Sequence, residues 1–124
     1  MLGTRNVVVF VPTTDYDKAR SFYEGILGLG YLTSDGHAMV LDANGIKVRV
    51  VKVPSHQPLP YTILGWEVPD IESAVTELAQ RGVTFERFGF FQQDPLGIWT
   101  APTGDKVAWF KDPDGNTLSV SQHV

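Results

Sequence analysis

The residue types that carry most protein chemistry are sparse in this sequence. It has three histidines, His37, His56 and His123, and no cysteine. Without cysteine there is no disulfide, no thiolate nucleophile and no thiolate metal site. No two of the histidines share the i, i+3 or i, i+4 helical spacing that would put a pair of imidazoles on one ion. His37 falls beside a turn, His56 in a proline-rich stretch and His123 at the end of the sequence, so all three read as surface or tail residues. The glycines of GILGLG and GVTFERFG lack the strand–turn–helix context of a phosphate loop. No nucleophile elbow is present, and sequence spacing places no Ser–His–Asp set together. What remains is aromatic. Trp66, Trp99 and Trp109 join Phe10, Phe85, Phe88, Phe90, Phe91 and Phe110. Rings of this kind can sandwich a flat or cationic ligand, although most are expected in the core or at a subunit interface. Trp99 is the strongest candidate for a ligand wall. It lies in an irregular Pro- and Gly-containing segment, 92–104, where a loop can close over a site. Phe90 and Phe91 adjoin that segment.

Composition sets the frame for these residues. The chain has 124 residues, 43% apolar and 19% charged, which suits one soluble globular domain with a real core. Its net charge of −4 and lack of a basic cluster argue against nucleic acid and mildly suit cationic ligands. No apolar run approaches the roughly 20 residues of a membrane span. The opening MLGTRNVVVF lacks the apolar region and cleavage site of a signal peptide, and a cytoplasmic protein is expected.

The elements that must position the candidate residues follow from periodicity. A strand is predicted over 6–11, apolar enough to be buried on both faces and ended by Pro12. Thr14 or Asp15 caps a helix whose apolar positions are Tyr16, Ala19, Phe22, Tyr23, Ile26 and Leu27, with Gly28 as its stop. Short strands are predicted over 31–33, 38–41 and 46–53, separated by Asp35-Gly36 and Asn44-Gly45. Residues 54–60, with three prolines, read as a linker. A strand over 61–68 follows, then a helix capped by Asp70 with Ile71, Ala74, Val75 and Leu78 on its apolar face, ending at Gly82. The stretch 83–91 reads as strand-like. Strands over 106–111 and 117–121 form a hairpin around Asp112-Pro113-Asp114-Gly115-Asn116. In the last strand Leu118 and Val120 face one way and Thr117, Ser119 and Ser121 the other. That polar, uncharged face is either a cavity wall or the outside of a half-exposed edge.

The order of elements is a repeat. The expected fold is α+β: two βαβββ modules, about 5–53 and 61–122, within one domain 1–124, forming a curved mixed sheet around a cleft. Asp15 and Asp70 take equivalent places, each a cap followed by the first buried alanine, Ala19 and Ala74.

These residues carry a resemblance. Asp15…Ala19…Phe22-Tyr23…Leu27-Gly28-Leu29, the second Asp70…Ala74…Leu78…Gly82, and Phe110-Lys111-Asp112-Pro113-Asp114-Gly115-Asn116 together resemble the vicinal oxygen chelate superfamily. That group includes glyoxalase I, extradiol dioxygenases, fosfomycin-resistance enzymes and bleomycin-resistance proteins. The resemblance covers nearly the whole chain. It implies metal ligands, His or Glu, on the first, fourth, fifth and eighth strands, at positions that fall on Val8, Arg49, Ile63 and Ser119. Val8 and Ile63 have no lone pair, Arg49 is a permanent cation, and Ser119 alone is a poor ligand. The chain therefore resembles a member without the metal, and no cofactor is expected. The resemblance also implies a homodimer.

Arg49, if it points into the cleft, is a bidentate anion receptor. Glu67 alternates onto the same face as Ile63, and with Arg49 it would make either a structural ion pair or a poised acid/base site. Both side chains pointing to solvent is the other reading. Two functions follow. The first is a metal-free protein that holds a small aromatic or charged molecule, similar to the bleomycin-resistance branch. The second is a cofactorless lyase or isomerase with Glu67 as general base and Arg49 steadying an enolate or carboxylate. A metal-dependent lyase or dioxygenase with ligands elsewhere is a weaker third.

Overall fold

Asp112 sets the geometry of the second half of the chain. One of its carboxylate oxygens accepts the backbone N–H groups of Asp114 and Asn116, both at 2.9 Å, and the other accepts from the Asn116 side-chain amide at 2.8 Å. Gly115 turns the chain with φ 82° and lies against Pro58, where a Cβ would come within 2.9 Å of the ring. Asp112 and Asn116 are buried with the turn closed around them. In this computed structural model, which describes residues 1–124, the chain forms two compact units, 1–57 and 58–124.

The second unit is a four-stranded mixed sheet with one helix. Its strands are β5 (Thr62–Glu67), β6 (Trp99–Thr100), β7 (Lys106–Lys111) and β8 (Thr117–Gln122), in the order β5-β8-β7-β6. Strand β5 runs parallel to β8, and the other pairs are antiparallel. The helix α2 (Ile71–Gln80) is capped by Asp70, whose carboxylate accepts the Ser73 N–H, and it packs on β7 and β8. Its buried Ile71 and Val75 meet the sheet face that carries Ala108, Phe110, Leu118 and Val120. Trp66 stacks on Phe110 at 6.5 Å, and Phe85 meets the same ring edge-on at 5.5 Å.

The first unit repeats the plan. Strands β1 (Val8–Thr13), β2 (Gly30–Ser34), β3 (Met39–Ala43) and β4 (Ile46–Lys52) lie in the order β1-β4-β3-β2, with β1 parallel to β4. Asp15 caps α1 (Tyr16–Arg20), accepting from the N–H groups of Asp17 and Lys18. Ala19, Phe22 and Tyr23 are buried, as are Val11, Met39, Leu41, Val48 and Val50 of the sheet. Asn44 and Gly45 both adopt positive φ, 52° and 91°, the backbone a two-residue hairpin turn requires. The βαβββ order of both units is as the sequence predicts, with departures in individual elements.

First, β1 is not buried on both faces: Val11 and Thr13 are, but Val8 is 40% and Phe10 64% exposed. Nor does Pro12 end it. The strand runs on through Pro12 to Thr13 because β1 is an edge strand, where a missing N–H breaks no ladder on the outer side. Second, the first helix passes into a π-helix over Ser21–Ile26, whose wider turn shifts the periodicity read from the sequence. Third, 83–91 is not a strand. It touches the sheet by one bridge, Phe85 to Phe110, and then folds into a turn in which the Phe91 N–H donates to the Phe88 carbonyl.

Replacing Asp112 by Ala strips three donors of their acceptor in a closed turn. An Asp112→Ala variant should lose on the order of 3 kcal/mol of stability by urea denaturation. An unchanged midpoint would show that the turn holds without the carboxylate.

Candidate functional site

The candidate residues fall on two sheets, one in each unit. On the first sheet, Phe10 pairs with Arg49, and Arg49 with Val40. Direct cross-strand partners share a face, so Phe10, Arg49 and Val40 form one row, with Val8 on the same face by alternation. That face lies opposite the helix. The Arg49 guanidinium is not alone there: it lies 3.5 Å from the Asp35 carboxylate. The backbone N–H groups of His37 and Ala38 hold the Asp35 carboxyl below the usual carboxylate range, and Arg49 adds to this. Asp35 stays ionised, so Arg49 is a partly answered cation.

On the second sheet the outward face carries a continuous row. Trp99 pairs with Val107, Val107 with Ser121, and Ser121 with Glu67. The next row carries Trp109, Ser119 and Gly65. Three of the expected residues, Glu67, Trp99 and Ser119, therefore share one face. Glu67 and Trp99 sit on opposite edge strands, about 14 Å apart at three strand spacings. Ile63 sits where the β5 register shifts between Thr62 and Leu64. Gly65 makes room for Ser119: a Cβ on Gly65 would lie 2.8 Å from the Ser119 hydroxyl oxygen. The Glu67 side chain is exposed and forms no ion pair.

Trp99 anchors an aromatic cluster. It opens β6 rather than lying in an irregular loop. Phe91 packs against both indoles, 4.6 Å from Trp99 and 5.3 Å from Trp109, which are themselves 6.1 Å apart, and Phe88 meets Trp109 edge-on at 5.4 Å. Phe90 caps the group, 79% exposed. An open cleft of about 790 Å³ lies against Phe90, Phe91, Trp99, Gln93 and Asp94.

A polar staple holds this cluster in place. The Gln93 side-chain oxygen accepts the Phe88 N–H at 2.7 Å, while its amide donates to the Glu86 and Gly97 carbonyls at 2.9 and 2.8 Å. Arg87 donates to the Asp94 carbonyl at 2.6 Å and to that of Pro95. The Asp94 carboxylate accepts the N–H groups of Leu96 and Ile98 at 2.9 and 2.8 Å. These bonds satisfy a segment that makes no ladder. The sequence pointed to Trp99, but not to Trp109 or Gln93 as its neighbours. Alternation along β7 was the signal for Trp109, and Gln93 gave none.

The sequence also gave no Ser–His–Asp set, and here the structure differs. The Ser121 hydroxyl lies 3.0 Å from His123 Nε2, and His123 Nδ1 lies 3.5 Å from the Asp105 carboxylate. The hairpin register brings Asp105, just before β7, beside the end of β8.

The four positions at which a metal was implied divide between the modules: Val8 and Arg49 on the first sheet, Ile63 and Ser119 on the second. Their chemistry does not fit a divalent ion. Two are hydrocarbon, one is a cation, and one is a neutral hydroxyl. No group of three His, Asp or Glu side chains comes together elsewhere. No helix is long and apolar enough to cross a membrane.

The model of the Glyoxalase/Bleomycin resistance protein/Dioxygenase superfamily matches residues 6–120. Among solved structures, the bleomycin resistance determinant encoded on transposon Tn5 is 22% identical, with a TM-score of 0.74 over 97% of this chain and 98% of that one. The antibiotic-binding protein TnmS3 of Streptomyces sp. CB03234 is 24% identical, with a TM-score of 0.73 over 100% and 99%. A bleomycin-binding protein solved with bleomycin is 22% identical, with a TM-score of 0.73 over 98% and 100%. At such identities the likeness is one of fold. No curated protein matches the chain.

If Gln93 holds the aromatic wall, Gln93→Ala should collapse the near-ultraviolet circular dichroism of the stacked indoles and cost about 1–3 kcal/mol. Gln93→Glu keeps the acceptor for Phe88 but sets a carboxylate oxygen against the Glu86 and Gly97 carbonyls, and should cost at least as much. A wild-type aromatic spectrum in Gln93→Ala would show that the rings pack without the staple.

Proposed function

We propose, on the premise that the chain belongs to the Glyoxalase/Bleomycin resistance protein/Dioxygenase superfamily, that it binds a small organic molecule without a metal. The observation that carries this is the row on the second sheet. An aromatic wall stands at one edge, Val107 and Ser121 form the floor, and the unpaired carboxylate of Glu67 stands at the other edge. Such a surface suits an extended ligand with a flat ring for Trp99 and a cationic group for Glu67. Spanning both requires a molecule about 14 Å long. The donor chemistry at Val8, Arg49, Ile63 and Ser119 supports binding without a metal. Solved structures of this fold are named for binding bleomycin and for binding an antibiotic.

On the first module, with Val8 and Arg49 on one face, Arg49 would meet an anion only in exchange for Asp35. A homodimer and a cytoplasmic setting belong to the same proposal. The outward face of β1, with Val8 and Phe10 exposed, supplies apolar area for a partner.

A second reading keeps the site and adds chemistry. Glu67 carries no ion pair, so its carboxylate is available as a general base. Glu67→Gln would then abolish turnover of a candidate substrate while leaving binding intact. In the binding reading the same variant weakens a cationic ligand and there is no turnover to lose.

A thermal-shift series with bleomycin, an aminoacridine and an aromatic carboxylate tests the proposal directly. The cationic aromatics should raise the melting temperature by mass action. Trp99→Ala should weaken their binding three- to tenfold, the roughly 0.5–1.5 kcal/mol of a stacked ring. Exclusive binding of the carboxylate would move the recognition to Arg49. Elemental analysis after dialysis against nickel, manganese, iron and zinc salts checks the other half. Near-stoichiometric retention of any one ion would overturn metal independence.

A further inference from the structure

We propose that Ser121, His123 and Asp105 form a nucleophile relay that takes an acyl group from aryl esters. The Ser121 hydroxyl stands 3.0 Å from His123 Nε2, and His123 Nδ1 stands 3.5 Å from Asp105 Oδ2. The tautomer with its proton on Nδ1, facing Asp105, leaves the Nε2 lone pair to accept the Ser121 O–H. The other Asp105 oxygen accepts the Val124 N–H at 2.9 Å, which fixes the carboxylate as the imidazole's orienter. That bond, and His123 itself, hold the Asp105 carboxyl below its usual range, so it remains an acceptor.

The placement follows from the strand. Ser121 lies near the end of β8 and His123 just past it, and their side chains meet at 3.0 Å. Ser121 lies on the face with the aromatic wall. Trp99 shares a row with Ser121, separated only by Val107, and Trp109 sits in the next row. Trp99 stands two strand spacings from Ser121, roughly 10 Å, so an aryl group on that wall can extend an attached ester carbonyl toward the Ser121 oxygen. The distances are those of a nucleophile, a base and an orienter, slightly open as in ligand-free enzymes.

In the first step the Ser121 oxygen bonds to the acyl carbon, and its proton passes to His123 Nε2. The bond from that carbon to the aryl oxygen then breaks, and the proton on His123 leaves with the phenol. Water attacks the acyl-serine and gives a proton to His123; the bond from the acyl carbon to the Ser121 oxygen then breaks, His123 returns the proton to that oxygen, and the carboxylic acid is released. Strand ladders occupy the backbone N–H groups around Ser121, so no oxyanion hole of the usual kind is built. The relay therefore suits activated esters, whose aryloxide departs without strong stabilisation of the oxyanion. Ser121 and His123 are the catalytic residues, and Asp105 is a positioning residue.

The proposal does not depend on which ligand the wall holds. An alkyl fluorophosphonate reports on Ser121 directly, since the serine oxygen bonds to phosphorus and fluoride leaves. Intact protein treated with this probe, then digested and analysed by mass spectrometry, should carry the adduct on Ser121. Heat-denatured protein should not. His123→Asn should slow labelling at least about a hundredfold, the typical share of a general base. Asp105→Asn should slow it about tenfold, and Asp105→Glu should recover part of the loss. Hydrolysis of p-nitrophenyl acetate should follow the same order. Thermal melts of each variant separate lost reactivity from lost fold. No adduct on Ser121, an adduct on another serine, or unchanged labelling in His123→Asn would overturn the relay. Unchanged labelling in Asp105→Asn would remove Asp105 from it.

Discussion

The register of β8 is the constraint on which the second module depends. Leu118 and Val120 meet α2 on one side, while Ser119 and Ser121 line the other. Because side chains alternate strictly, a slip of one residue would send the serines into the core and the apolar pair into the site. Two features resist it. The Asp112 turn fixes where β7 ends and β8 begins, and Gly65 admits the Ser119 side chain at only one position along β5. The same register brings Ser121 level with Trp99 and Glu67, and carries His123 to Asp105. Site geometry and core packing are thus two consequences of one alignment.

The repeat makes the chemistry of the two modules comparable residue by residue. Phe10 pairs with Arg49 as Gly65 pairs with Ser119, and Val40 and Trp109 stand next in the two rows. The backbone plan is shared, but the outward faces differ. The first carries a ring on its edge strand and a cation in its centre. The second carries no side chain at the equivalent edge position, a hydroxyl in the centre and an indole beside it. Duplication of a module keeps the buried alternation, since the core demands it, and leaves the outward positions free to diverge.

Much of this was legible in the sequence because it is local or periodic. Asp15 and Asp70 cap their helices as side-chain chemistry requires, Asn44-Gly45 turns a hairpin, and alternation over 117–121 gives the correct faces. The failures share a cause. Apolar composition along β1 does not say that β1 lies at a sheet edge with its outer face uncovered. The β-propensity of Phe85, Phe88, Phe90 and Phe91 does not reveal that Gln93 and Arg87 supply the hydrogen bonds a ladder would have given. The Ser121–His123–Asp105 arrangement joins residues from both ends of a hairpin, and only the strand register places them together. Local chemistry is written in neighbouring residues, whereas who partners whom is a property of the assembled sheet.

Charge separates the two modules further and bears on the kind of molecule the chain can hold. Arg49 meets a carboxylate that backbone N–H groups keep ionised, so an incoming anion must displace Asp35. Glu67 meets no cation, so an incoming ammonium or guanidinium displaces only water. Both groups are open to solvent, and screening reduces each attraction to a modest one. The difference between them still has a sign. It favours a cation at Glu67 over an anion at Arg49, in line with the chain's net charge of −4. The aromatic wall shares that preference, because the faces of Trp99 and Trp109 attract positive charge. The indole faces, the Glu67 carboxylate and the chain's net charge all select against an anionic ligand on the second module.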